Sequence, residues 1–166
     1  MSKYVNKMSV EKYSFQAEIN QLLNLIINTF YSQKEVFIRE LISNASDAID
    51  KYNHYCILNK PEKNIDRKID IIPDKENKLI RFIDTGIGMK KDELIKNIGT
   101  IAESGTKKFM ENVKDSKLIG SYGVGFFSSY LVASSVTIIT KHPEDGFYKW
   151  TSDASGEYTI EKMEDG

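Results

Sequence analysis

The sequence is poor in cysteine, in net charge and in long apolar runs. Its one cysteine, Cys56, cannot form a disulfide within the chain and has no partners for a metal cluster, which fits a reducing compartment. The net charge of −1 gives no bulk attraction to nucleic acid or to a membrane surface. No apolar run approaches the roughly 20 residues of a membrane span, and the polar start of the chain, through Lys12, has no apolar core of a secretory signal. These absences exclude disulfide scaffolds, membrane-spanning proteins and strongly basic binding modules.

The 166 residues, 40% of them apolar, suit one domain with a sizeable core. Residues 1–12 are predicted to form a flexible tail. The remainder is predicted to begin with helices and continue with strands joined mostly by hairpins, an α+β pattern with an antiparallel or mixed sheet. Helices on one face of that sheet would leave a pocket between the two layers. The predicted strands cover 13–17, 68–72, 79–83, 136–141, 147–151 and 158–162, and the predicted helices cover 18–30, 33–58, 90–97 and 107–113.

The helix predicted over 33–58 carries a polar stripe beside its apolar face. Glu40, Asn44, Asp47 and Lys51 are spaced by four, three and four residues, so they lie on one side of the helix. Ser32 and Glu35 have the spacing of a capping box at its start. The stripe indicates either a chemical site or simply a solvated helix face with favourable ion pairs.

A sharp turn follows the strand predicted over 79–83. Gly86 and Gly88 allow the backbone to turn tightly and to approach a flat ligand. Asp84, just before them, can accept a hydrogen bond from an exocyclic amine such as that of adenine. The alternative is a plain Asp-Thr-Gly turn.

Gly120–Gly125 is a glycine-rich loop that leads into a predicted helix. Its amide groups and the positive helix end suit a phosphate. It is neither a Walker loop nor a dinucleotide fingerprint, and a flexible connection is the alternative. Combined with the stripe, the loop indicates phosphate chemistry: the Asn44 oxygen could bind Mg²⁺, and Glu40 could orient or deprotonate the attacking water.

Three short motifs resemble the boxes of the GHKL ATPases, the group of gyrase-type topoisomerases, MutL proteins, sensor histidine kinases and heat-shock protein 90 chaperones. These are Glu40-x-x-x-Asn44, Asp84-x-Gly86-x-Gly88 and Gly120-x-x-Gly123-x-Gly125. Longer stretches, 15–23, 31–48, 97–106 and 123–126, are similar to the amino-terminal domain of the heat-shock protein 90 family. The similarity covers roughly 13–163, and the segments 15–31 and 136–142 resemble the cytosolic eukaryotic form most.

The resemblance implies a two-layer α/β sandwich, the Bergerat fold, that binds ATP or ADP with Mg²⁺. It implies that Glu40 is the catalytic carboxylate, that Asn44 is the magnesium ligand and that Asp84 contacts adenine. Residues 99–119 would form a lid that closes over ATP and couples the nucleotide to dimerisation. The nucleotide-binding residues implied are Asn44, Asp47, Asp84, Gly88, Met89, Asn97, Gly120, Gly123, Val124, Gly125 and Phe126.

The resemblance also implies the setting: a cytoplasmic, homodimeric ATP-driven chaperone with client proteins and co-chaperones, and with neither nucleic acid nor membrane as partner. Two alternatives stay open. One is the ATPase domain of another GHKL protein, of the histidine-kinase or topoisomerase type. The other is a nucleotide-binding module that does not hydrolyse ATP.

The sequence departs from the family pattern in the lid region. Glu103 stands where a basic residue is usual, Ser121 and Tyr122 replace Gln-Phe, and the linker before Gly120 is short. The family continues past Gly166 into a further strand and helix, so we expect 13–166 to be a truncated ATP-binding domain. Weak or absent hydrolysis is expected of such a fragment.

Overall fold

The computed structural model describes residues 9–15, 17–29, 32–61, 65–98 and 125–164. Within these ranges the chain forms three α-helices, one 3₁₀ helix and six strands. The helices are α1 (Ala17–Thr29), α2 (Val36–Asn59), α3 (Lys91–Ile98) and the 3₁₀ helix (Gly125–Leu131). The strands are β1 (Val10–Ser14), β2 (Ile69–Asp74), β3 (Leu79–Asp84), β4 (Val136–Lys141), β5 (Phe147–Ser152) and β6 (Glu157–Met163).

The strands form two antiparallel units. β1, β6, β5 and β4 lie side by side in that order as a four-stranded sheet, and β2 pairs only with β3 as a hairpin. The helical layer covers one face of the larger sheet, where Trp150 and Ile160 are almost completely buried with residues of α1, α3 and the 3₁₀ helix. The opposite face is exposed, and it carries the pair Lys149–Glu161 in one row with the apolar residues Ile139 and Val10. The predicted α+β sandwich with helices on one face of the sheet is thus confirmed.

Helix α2 joins the hairpin to the rest of the molecule. Its Phe37 meets Phe82 of β3 edge-on, with ring centroids 6.0 Å apart, and the helix also packs against the 3₁₀ helix. The base of the hairpin is held by Thr85, whose hydroxyl accepts from the Lys68 amide at 3.0 Å and donates to the Asp66 carbonyl at 2.9 Å. The residue that follows β3 is therefore held to the segment just before β2.

The start of α2 differs from the predicted capping box. The N-cap residue is Glu35, which has helical backbone angles and makes no side-chain cap hydrogen bond. Residues 32–35 form a turn instead, and the amide of Val36 donates to the carbonyl of Gln33 at 3.1 Å. Backbone carbonyls thus satisfy the first amides, which leaves Ser32 with no capping role.

Two other elements differ from the prediction. β1 begins at Val10, so residues 10–12, assigned to the tail by sequence, pair with β6. The helix after the glycine-rich loop is a 3₁₀ helix rather than an α-helix. Ser128 and Ser129 donate through their side chains to the carbonyls three residues back, at 2.5 and 2.7 Å. Such local bonds compete with the regular α-helical pattern, and they explain the tighter helix.

Candidate functional site

The polar stripe on α2 changes in environment along its length. Glu40 is buried, whereas Asn44, Asp47 and Lys51 are exposed. The Oε1 atom of Glu40 accepts from the Nε and Nη2 atoms of Arg39, both at 3.3 Å. The Arg39 side chain itself is 56% exposed, so it partly neutralises the carboxylate from the solvent side. A buried, charge-paired carboxylate at one end of an otherwise exposed stripe marks the deep end of a site.

Gly125, the first residue of the 3₁₀ helix, lies directly against that carboxylate. A Cβ atom added to Gly125 would stand 2.6 Å from Oε2 of Glu40 and 3.2 Å from its Cβ. Real Cβ atoms do not approach so closely, so any side chain at this position would have to displace the carboxylate. The end of the glycine-rich loop therefore reaches Glu40, as the phosphate-loop hypothesis requires.

The turn after β3 lies against the middle of α2. A Cβ on Gly86 would come within 2.5 Å of the Cβ of Ala48, and the amide of Ile87 donates to the Ala48 carbonyl at 3.0 Å. The absence of a side chain at Gly86 thus allows the turn that follows Asp84 to contact α2 at Ala48.

Asp84 itself is exposed, and one of its two carboxylate oxygens accepts a hydrogen bond. Its Oδ1 atom accepts from the Gly86 amide at 2.9 Å, which fixes the orientation of the carboxylate. Among the described residues, no donor bonds to its second oxygen. The sequence predicts that this carboxylate accepts a hydrogen bond from a ligand, and that assignment stays a prediction.

The next residues run along the end of β4. Gly88 has a φ of +73°, and a Cβ there would lie 2.2 Å from the Lys141 carbonyl oxygen. The amide of Met89 donates to Oγ1 of Thr140 at 2.8 Å. Sequence reasoning missed Thr140, although a threonine that continues the inward-facing positions of Val136 and Ile138 was a usable signal.

The structure places Gly125 against Glu40 and the Asp84–Met89 turn against Ala48, and Asn44 and Asp47 lie between these two contacts along α2. Asn97 is exposed at the end of α3, and no contact between described residues joins it to this group. The Phe126 ring packs edge-on against Trp150, with centroids 5.7 Å apart, so it also contributes to the core. Gly120, Gly123, Val124 and the predicted lid, with Glu103, Ser121 and Tyr122, lie outside the described residues.

Two classes of feature are absent from the described part of the chain. No helix there combines the length and apolarity needed to cross a bilayer. No group of three or more His, Cys, Asp or Glu residues there could hold a metal ion. A magnesium ion that takes most of its ligands from phosphates and water does not need such a group, and the oxygen-rich side chains of the site suit it.

Comparisons with known proteins agree with this geometry. A family model described as "Histidine kinase-, DNA gyrase B-, and HSP90-like ATPase" matches residues 31–164. An endoplasmin homolog from Dictyostelium discoideum is 50% identical over 162 residues, covering 92% of the chain and 21% of that protein. The chaperone protein HtpG of Sulfurimonas denitrificans is 51% identical over 159 residues, covering 91% of the chain and 25% of that protein.

A further endoplasmin homolog, from Hordeum vulgare, is 46% identical over 167 residues, covering 96% of the chain and 21% of that protein. The chain thus spans between a fifth and a quarter of the length of these relatives. They are bacterial and endoplasmin-type proteins, so the cytosolic eukaryotic subtype stays a prediction. The family match over most of the chain leads to one conclusion: the chain belongs to the histidine kinase-, DNA gyrase B- and HSP90-like ATPases.

Proposed function

We propose that the chain is the magnesium-dependent ATP-binding and ATP-hydrolysing domain of a chaperone. The observation that carries the proposal is the convergence on α2 of an acceptor turn, at Asp84, and a glycine contact, at Gly125. The acceptor turn suits a nucleotide base, and the glycine contact suits a phosphate. A nucleotide held between them would lie along the exposed face of Asn44 and Asp47.

The roles follow from the position of each group. Asp84 accepts from the exocyclic amine of adenine through its second oxygen. Asn44 supplies one oxygen to Mg²⁺, whose other ligands are phosphates and water. Glu40, one helical turn away, orients or deprotonates the attacking water. Burial beside Gly125 holds its carboxylate in one place, which is what positioning of a water requires.

The setting is part of the proposal. The relatives named chaperone protein HtpG support a chaperone that acts on client proteins. Co-chaperones and a second copy of the chain are further partners that the proposal includes. Closure of a lid formed by residues 99–119 would couple the bound nucleotide to dimerisation. We propose a cytoplasmic location, on the lone Cys56 and the HtpG relatives. The remaining site residues, Met89, Asn97, Gly120, Gly123, Val124 and Phe126, would complete the pocket.

Calorimetric titration with ADP and Mg²⁺ tests the base contact. Asp84→Asn should weaken binding at least about ten-fold, because the amide replaces an acceptor with a donor that faces the amine of adenine. Asp70→Asn is the matched control: Asp70 is also on the hairpin and forms only a surface pair with Lys68, at 2.8 Å, which contributes little to stability. Equal affinity of both variants and the wild type would refute the adenine assignment.

A further inference from the structure

The segment Gly88–Lys91, here termed the connector, links the Asp84 turn to α3 and has an unusual set of hydrogen bonds. Three consecutive backbone amides each donate to a side chain. Met89 donates to Oγ1 of Thr140, Lys90 to Oε2 of Glu93 and Lys91 to Oδ2 of Asp145, all at 2.8 Å. Backbone amides are usually satisfied by carbonyls, so the path of this segment depends on side chains.

Two of these acceptors come from a distant part of the chain. Thr140 is the fifth residue of β4, and Asp145 lies in the turn between β4 and β5; they are 51 and 54 residues from their donors. Just before the first of these bonds, Gly88 lies against the backbone of Lys141, the residue after Thr140. The end of β4 and its turn therefore hold the connector at three successive points.

Thr140 supplies the inner support. Its side chain is buried, with 7% of the residue exposed, and its hydroxyl oxygen is the acceptor for the Met89 amide. Removal of that oxygen would leave a part-buried amide without its bond, which favours a shift of the backbone. Met89 directly follows the Asp84–Gly88 turn, so such a shift moves the turn.

Asp145 supplies the outer support. Its Oδ1 atom accepts from the Gly146 amide at 2.7 Å and from the Tyr148 hydroxyl at 3.1 Å. These bonds orient the carboxylate so that Oδ2 faces the Lys91 amide at the start of α3. The Lys91 amide, and next the Gly146 amide, lower the pKa of Asp145, so it is ionised at neutral pH and suits the positive end of the helix.

The connector lies only on the base side of the proposed nucleotide site. It is continuous with Asp84, whereas Glu40 and Gly125 form the phosphate side on the opposite part of α2. We propose that Thr140 and Asp145 are positioning residues that hold the connector and thereby determine the selectivity of the site for adenine over other bases. The proposal rests on the proposed function, since it assigns base recognition to Asp84.

The selectivity is measured as the ratio of the dissociation constants of GDP and ADP, each titrated with Mg²⁺ well below the melting temperature of each variant. Thr140→Val keeps the shape of the side chain but removes the acceptor. It should weaken the binding of ADP about ten-fold, the scale of one lost buried hydrogen bond. The affinity for GDP should stay within about two-fold of the wild-type value, because GDP gains little from Asp84. Thr140→Ser, which keeps the hydroxyl, should restore the wild-type ratio.

Asp145→Ala should also lower the ratio of the dissociation constants of GDP and ADP. Glu144→Ala is its matched control, because Glu144 is the adjacent acid and pairs with the side chain of Lys90 in the connector, at 2.6 Å, whereas Asp145 accepts from a connector amide. The control should keep the wild-type ratio. Equal weakening of ADP and GDP in Thr140→Val, or an unchanged ratio in both Thr140→Val and Asp145→Ala, would overturn the proposal.

Amide hydrogen exchange separates this proposal from the function on which it rests. The Met89 amide should lose protection in Thr140→Val and the Lys91 amide in Asp145→Ala, with or without nucleotide. If the wild type binds neither nucleotide, the proposed function fails, while these two amides still report whether the side chains hold the connector. Unchanged protection of both amides would refute that support directly.

Discussion

Replacement of Gly88 by alanine is the sharpest test of how the site is built. The residue has a φ of +73°, and an added Cβ would lie 2.2 Å from the Lys141 carbonyl oxygen and 2.8 Å from its carbon. The first contact is 0.8 Å inside a 3.0 Å limit that real Cβ atoms respect. Both atoms belong to the backbone of β4, so no side chain can rotate away.

The expected cost has two parts. The left-handed backbone conformation costs an alanine about 1–2 kcal/mol, and the overpacked contact costs about 1–3 kcal/mol. Together they predict a loss of roughly 2–5 kcal/mol in the free energy of unfolding. With a urea dependence of about 2 kcal/mol per molar, the unfolding midpoint should fall by about 1–2.5 M.

Urea unfolding and ADP titration of the same samples measure the two consequences. The connector must move away from β4, so ADP affinity should fall together with stability. Gly156→Ala is the matched control, because Gly156 also has a positive φ, of +108°, but lies in the turn between β5 and β6. If Gly88→Ala unfolds at the wild-type midpoint and binds ADP normally, the contact between the connector and β4 is not as described.

The remaining predictions concern the buried carboxylate of Glu40 and the loss of stability at acid pH. Gly125→Ala should displace the carboxylate of Glu40 by several tenths of an ångström and slow single-turnover ATP hydrolysis by the full-length protein about 10²-fold, with ADP affinity changed far less; an unchanged rate would argue for a module in which Glu40 is not catalytic. The pKa of Asp145 is lowered by the Lys91 amide, so its stabilisation is complete above an ordinary pKa of 3.8 and is lost as pH falls through the folded-state value. Urea midpoints between pH 5.5 and 2.5 should therefore fall less steeply in Asp145→Asn than in the wild type, and identical slopes would contradict that linkage.

Local patterns in the sequence predicted the elements well. The recurrence of apolar residues gives α2 and the alternation of apolar residues gives β4, and both lie within a few residues of their predicted bounds. The turn at Asp84–Gly88 was also predictable, because two glycines after a strand have few other uses. These features depend on neighbours within a few positions, which a sequence displays directly.

The predictions that were wrong or missing have two physical causes. Local hydrogen bonds compete with the expected ones, and some contacts join residues that are far apart in the sequence. The capping box at Ser32 had the correct spacing, but a backbone turn satisfied the same amides. The serines at 128 and 129 favoured a 3₁₀ helix over an α-helix through local bonds that apolar periodicity does not register. The supports of the connector were missed because Thr140 and Asp145 act on residues more than 50 positions away.

That distance also affects the order in which the molecule can form during synthesis. Helix α2 emerges from the ribosome early, but Gly125, Thr140 and Asp145 follow far behind it, and the contact of Glu40 with Gly125 spans half the chain. Until those residues have been synthesised, the carboxylate of Glu40 stays in water, and only the α2 side of the proposed nucleotide site is present. Contacts so distant in sequence slow folding, and the proposed nucleotide site cannot form before Asp145 has been synthesised. A nucleotide would therefore bind the finished fold rather than nucleate it, so we expect ADP to slow unfolding without accelerating folding.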